Sequence, residues 1–96
     1  MIEKSEKSTN GTSFYGDVIV TTANKLTEIF GESEGSSDKT IYLWSLEDEN
    51  GDVFTIYDYK NYGGLGFDAV ESFHIGAHSG KIANKVKIEL EKLINN

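Results

Sequence analysis

The sequence predicts a single α+β domain: an antiparallel sheet of about four strands, in the order β-α-β-β-β-α, with helices packed on one face. Three observations predict it. Residues 40–60, TIYLWSLEDENGDVFTIYDYK, hold two runs rich in β-branched and aromatic residues on either side of Asn50-Gly51, the pattern of a β-hairpin. Two other stretches, 23–30 and 80–93, repeat apolar residues at helical spacing. At 96 residues the chain can bury one modest core, with an expected stability of about 5–10 kcal/mol, but not two.

Taken in order, residues 1–11 are polar and aperiodic and read as a flexible N-terminal tail, leaving 12–96 as the domain. Residues 14–21, FYGDVIVT, read as a first strand weakened or bulged at Gly16. Thr21 or Thr22 can cap a helix over 23–30, in which Ala23, Leu26, Ile29 and Phe30 share one face and Gly31 supplies the stop. The loop 32–39, ESEGSSDK, is either a plain connection or a flap over a nearby pocket. In the hairpin, Tyr42, Trp44 and Leu46 oppose Ile41, Leu43 and Ser45, while Phe54, Ile56 and Asp58 oppose Val53, Thr55, Tyr57 and Tyr59. Both faces are partly apolar. Helices cover one, and the other must meet a loop, a ligand or a second subunit, so a homo-oligomer is expected.

After the glycine-rich connection 61–67, residues 71–78, ESFHIGAH, form a strand with Phe73, Ile75 and Ala77 on one side and His74, Gly76 and His78 on the other. Ser79 caps the last helix. Its buried stripe is Ile82, Val86, Leu90 and Leu93 with Ala83 and Ile94 beside them, and Lys81, Lys85, Lys92, Glu89 and Glu91 take the solvated side.

Charge narrows the function classes. The formal net charge is −7, and the segment 32–58 alone sums to −7. All nine basic residues are Lys. Without Arg the chain lacks the side chain that reads guanine edges and grips phosphates bidentately, so no specific DNA binding is expected. An acidic surface of this kind is either ordinary solvation or a mimic of nucleic acid offered to a basic partner. With no cysteine, disulfides and thiolate metal sites are excluded. No stretch approaches the roughly 18 apolar residues of a membrane span and the N-terminus has no apolar signal region, so no membrane contact and a cytoplasmic setting are expected.

Two groups could carry chemistry. In Gly76-Ala77-His78-Ser79-Gly80-Lys81, small residues lead a strand into a helix start, where free N–H groups, the Ser79 hydroxyl and the Lys81 ammonium could hold an anion. An ordinary N-cap with a surface Lys reads the same way. The stretch is not a P-loop, because the four-residue spacer is missing and Ile82 stands where a Mg²⁺-binding hydroxyl is needed. In Tyr57-Asp58-Tyr59-Lys60, alternate aromatics and a terminal Lys could stack a base and neutralise phosphate, or simply pack on the next strand. If that arm reaches the following strand, Lys60, His74 and the Ser79 helix start could line one pocket. His74 and His78 lie roughly 13 Å apart by strand rise, too far for one metal ion, and each could stack or hydrogen-bond alone. The acids Asp48, Glu49 and Asp52 do not follow an EF-hand pattern, so no metal is expected. A triad of Ser79, His78 and Asp58 can be written down without a nucleophile elbow or oxyanion arrangement behind it, and no enzyme activity or cofactor is expected.

The series Asp38-Lys39-Thr40, Trp44, Gly51, Ile56-Tyr57-Asp58-Tyr59-Lys60, then Phe73-His74-Ile75-Gly76 with Ser79, resembles a group of small bacteriophage proteins with the pattern D-K-T, W, a turn G, I-Y-D-[WY]-K, [FW]-H-I-G-G and S. The likeness extends over residues 12–93, through Tyr15-Gly16 and 26–31; Ala77 replaces the second glycine of H-I-G-G. Small acidic phage proteins include anti-CBASS and anti-Thoeris sponges. The resemblance therefore implies an anti-defence protein of the host cytoplasm that sequesters a cyclic nucleotide signal, a cyclic dinucleotide or cyclic ADP-ribose derivative, without cleaving it, as a homo-oligomer. On that reading Trp44, Tyr57, Tyr59, His74 and His78 stack or hydrogen-bond the bases while Lys39, Lys60, Ser79 and Lys81 hold phosphate. The competing expectations are an acidic protein-binding inhibitor or DNA mimic acting through Glu47, Asp48, Glu49 and Asp52, and a small hydrolase acting on a nucleotide.

Overall fold

A computed structural model describes residues 2–34, 42–58 and 66–95. Those residues form β1 (Glu3–Lys4), β2 (Ser13–Thr22), α1 (Ala23–Phe30), β3 (Leu43–Glu47), β4 (Val53–Tyr57), β5 (Val70–Ala77) and α2 (Gly80–Ile94). The strands make one antiparallel sheet in the order β1-β3-β4-β5-β2. The class is α+β, with five strands among the described residues where about four were expected.

The additional strand comes from the segment read as a flexible tail, which is a correction to that reading. Glu3 pairs with Glu47 and Lys4 with Leu46, and Ile2 enters the core. The Lys4 ammonium donates to the Glu32 carbonyl at 2.6 Å. Residues 5–12 then cross one end of the sheet's helix-free face. The Ser5 N–H donates to Ser45 O at 3.0 Å, the Lys7 ammonium meets the Glu47 carboxylate at 2.8 Å, and Thr12 comes against Gly76. Burial of Ile2 and these polar contacts together anchor the run.

Between Phe14 and Val18 the β2–β5 register shifts, as the glycine at 16 suggests, and Gly16 takes a φ of 99° that other residues rarely adopt. Beyond it Ile19 faces the core opposite Phe73, while Val18 and Val20 face outward opposite His74 and Ser72. Thr22 caps α1 by accepting the Lys25 N–H at 3.0 Å, and the Gly31 N–H closes the helix on Thr27 O. In the hairpin, Trp44 pairs with Ile56 and Leu46 with Phe54, and Ile56 in turn pairs with Ile75. This row, with Ile19 and Phe73, meets Ala23, Leu26 and Phe30 of α1 and Ala83, Val86 and Leu90 of α2. Full burial of each large side chain contributes about 1.5–3 kcal/mol.

Candidate functional site

The register decides which predicted site residues can meet. Tyr57, the last residue of β4, pairs with His74, whereas Ala77, two residues before the α2 cap, pairs with Phe54 at the other end of β4. Among the described residues, the hairpin arm as far as Asp58 therefore runs away from Ser79. The α2 start lies instead against the acidic turn. Lys39, Tyr59 and Lys60 fall outside the described residues.

At the α2 start, the Ser79 hydroxyl accepts the Ile82 N–H at 3.2 Å, an ordinary N-cap. Ser79, Lys81, Ile82 and Lys85 line a cleft of about 360 Å³ whose remaining lining residue is Asp52. The Lys85 ammonium sits 2.8 Å from Asp48 and 2.9 Å from Asp52, and these hydrogen bonds raise its pKa. Asp48 is buried. Burial alone would push its carboxyl up, but hydrogen bonds from Lys85 and from the backbone N–H groups of Asp52 and Asn50 outweigh it and hold the pKa below the usual value. The acidic turn is thus tied to α2 through Asp48 and Asp52, while Glu49 and Asn50 at its tip are exposed. Lys7 similarly lowers Glu47 through a hydrogen bond.

Trp44 cannot stack on a ligand. Its ring is fully buried, packs edge-on against Phe73 at 6.2 Å, and donates its indole N–H to Gly31 O at 2.9 Å. His78 is exposed beside Gly11, and its carbonyl accepts the Tyr15 hydroxyl at 3.2 Å. Asp58 is buried at the end of the sheet where β4 stops, accepting the Tyr42 N–H at 2.8 Å. The Ser79, His78 and Asp58 set is thereby split between two ends of the molecule.

Tyr57 and His74 do come together. They are adjacent on the helix-free face, ring centroids 5.5 Å apart and nearly perpendicular. Phe14 of β2 lies flat on the other side of His74, centroids 4.0 Å apart and planes within 10°. Phe14 is 42% exposed, so part of this row of rings is open to solvent. Burial lowers the pKa of His74, keeping the imidazole neutral at pH 7. Phe14 was not among the residues singled out from the sequence. Strict alternation already places it on the outward face of Val18 and Val20, and the register shift at Gly16 keeps it there. An aromatic at the first strand's opening was the available signal.

A second, shallower cleft of about 300 Å³ is lined by Thr27, Glu32, Ser33, Tyr42 and Phe67. Above Asp58, burial and the neighbouring Asp58 charge raise the pKa of Glu71. Among the described residues no three His, Asp or Glu side chains are placed to hold a metal ion, and no helix is long and apolar enough to cross a membrane. Fold and site together define a small antiparallel α+β domain bearing a partly open aromatic row on the uncovered side of its sheet. In comparisons with known proteins, no family model and no curated protein sequence matches the chain.

Proposed function

We propose that the protein is a binding protein that captures a nucleotide without cleaving it, and that its ligand is a cyclic nucleotide immune signal of the cyclic dinucleotide or cyclic ADP-ribose type. In this reading it is a phage anti-defence protein working in the host cytoplasm as a homo-oligomer. The single observation that carries it is the Phe14, His74 and Tyr57 row. An uncharged, partly exposed row of rings on a sheet offers aromatic surface for base stacking, worth about 1–3 kcal/mol per base. Phosphate contacts fall to lysines, with Lys39 and Lys60 carried over from the resemblance. The α2 start is a weaker phosphate site than its sequence suggests, because Asp52 shares the cleft and Lys85 is already engaged.

The acidic-inhibitor reading loses support from the same geometry. Glu47 is bound to Lys7, and both Asp48 and Asp52 are bound to Lys85, so these carboxylates are already matched to cations.

Thermal shift across a panel of cyclic and linear nucleotides tests the proposal. A ligand at 100 times its Kd adds about 2.7 kcal/mol to stability. Heat denaturation of the complex should return that ligand intact on chromatography, and Phe14→Ala and Tyr57→Ala should each weaken binding at least tenfold while remaining folded. A panel without any shift, a cleaved ligand, or binding indifferent to both variants would overturn it.

A further inference from the structure

β2 is the outermost strand on one side of the sheet, and among the described residues no backbone pairs with its other edge. It is also long, ten residues, and so presents an extended row of N–H and C=O groups to solvent. Natural sheets guard such edges with charges, prolines or bulges. Here the guard is uneven. The bulge at Gly16 and the single charge, Asp17, protect the first half. The second half, Val18-Ile19-Val20-Thr21-Thr22, is regular, uncharged and wholly β-branched, and Val20 is 62% exposed. Val70 continues that apolar surface on β5, opposite Thr22 and 67% exposed.

We propose that a second copy of this chain pairs antiparallel along the free edge of β2, with the two-fold axis at Val20. The self-complementarity of the segment supports this occupant over a foreign strand. Centred on Val20, Val18 meets Thr22 and Ile19 meets Thr21 of the second copy, so each residue finds a β-branched partner on the same face. Charge points the same way. Two copies of a −7 molecule repel over most of their surfaces, and the five-residue segment contributes no charge to that repulsion. Val20 would face its own counterpart at cross-strand distance on the outward side, with Val70 of each copy flanking the pair. This inference stands independently of the nucleotide-binding reading.

The register makes the test specific. The wild-type chain should show a concentration-dependent dimer by analytical ultracentrifugation, and amides within 18–22 should gain hydrogen-exchange protection as concentration rises. Val20→Lys and Val20→Glu each place like charges opposite one another and should weaken dimerisation at least tenfold, whereas an equimolar mixture of the two should recover a heterodimer. Ile88→Lys, on the exposed side of α2, should dimerise as wild type. A wild-type chain that stays monomeric at millimolar concentration, protection gained elsewhere than 18–22, or a mixture no tighter than either variant alone would overturn the proposal. The exchange experiment uses the wild-type protein and so holds even if a variant misfolds.

Discussion

A Cβ placed on Gly76 would lie 2.6 Å from the Thr55 hydroxyl oxygen, closer than any relaxed contact. Thr55 is its direct cross-strand partner and is buried, with a short branched side chain that has little room to turn aside. Gly76→Ala is therefore expected to cost about 1–3 kcal/mol by overpacking, read as a lower denaturation midpoint at unchanged m-value. The glycine of the H-I-G stretch thus has a packing reason in this chain. Asp48 illustrates the opposite case, a side chain whose contacts are many. It accepts the N–H groups of Asn50 and Asp52 at 2.9 Å each and pairs with Lys85. Asp48→Ala should cost about 1–3 kcal/mol near neutral pH. Because the folded-state pKa is below the ordinary aspartate value of 3.8, this contribution is present above that pH and is lost as pH falls through the lower folded value. The gap between wild type and variant should accordingly narrow in strong acid.

Among the elements, β1 is the one whose removal is most informative. Deleting residues 1–7 withdraws Ile2 from the core and frees the edge of β3, and should lower stability by about 2–3 kcal/mol in a denaturant titration. A truncated chain as stable as the full one would mean that the segment does not hold the sheet edge. This element was also the hardest to see in the sequence, since a two-residue strand has no periodicity and its only apolar anchor is isolated. The long elements were legible for the converse reason. The 23–30 helix carries its cap, apolar stripe and glycine stop in adjacent positions, and the faces of β3, β4 and β5 follow from strict alternation around Trp44, Ile56 and Ile75. The site was less legible because it depends on register. Periodicity places His74 and Tyr57 on faces of their own strands, but only the observed pairing makes them neighbours, and the same pairing carries Ser79 away to the Asp52 and Lys85 cluster. Trp44 was misread for a related reason: alternation gives a face, not which face the helices cover.

For the molecule as a whole, stability against pH is set by ionisable groups that pull in opposite directions. His74 is depressed by burial, so the folded state resists its proton. Its contribution is fully present above the ordinary histidine value of 6.5 and is lost as pH falls through the lower folded pKa. Glu71 is raised, by burial first and by the Asp58 charge second, so its contribution is present below the ordinary glutamate value of 4.5 and is lost as pH rises through the higher folded pKa. One oxygen of the Glu71 carboxylate is buried and makes no hydrogen bond among the described residues. The two side chains belong to the same strand, β5, yet predict opposite slopes. His74→Gln removes the acid-side loss, so wild type should gain stability relative to it between pH 5 and pH 7.5. Glu71→Gln removes the neutral-side loss, so it should be more stable than wild type at pH 7.5, with that advantage shrinking at pH 4. Urea denaturation of the three proteins at those pH values measures both differences. Parallel pH profiles for all three would show that neither shift is coupled to folding, and a Glu71→Gln protein weaker than wild type at pH 7.5 would show that the carboxylate is satisfied in solution.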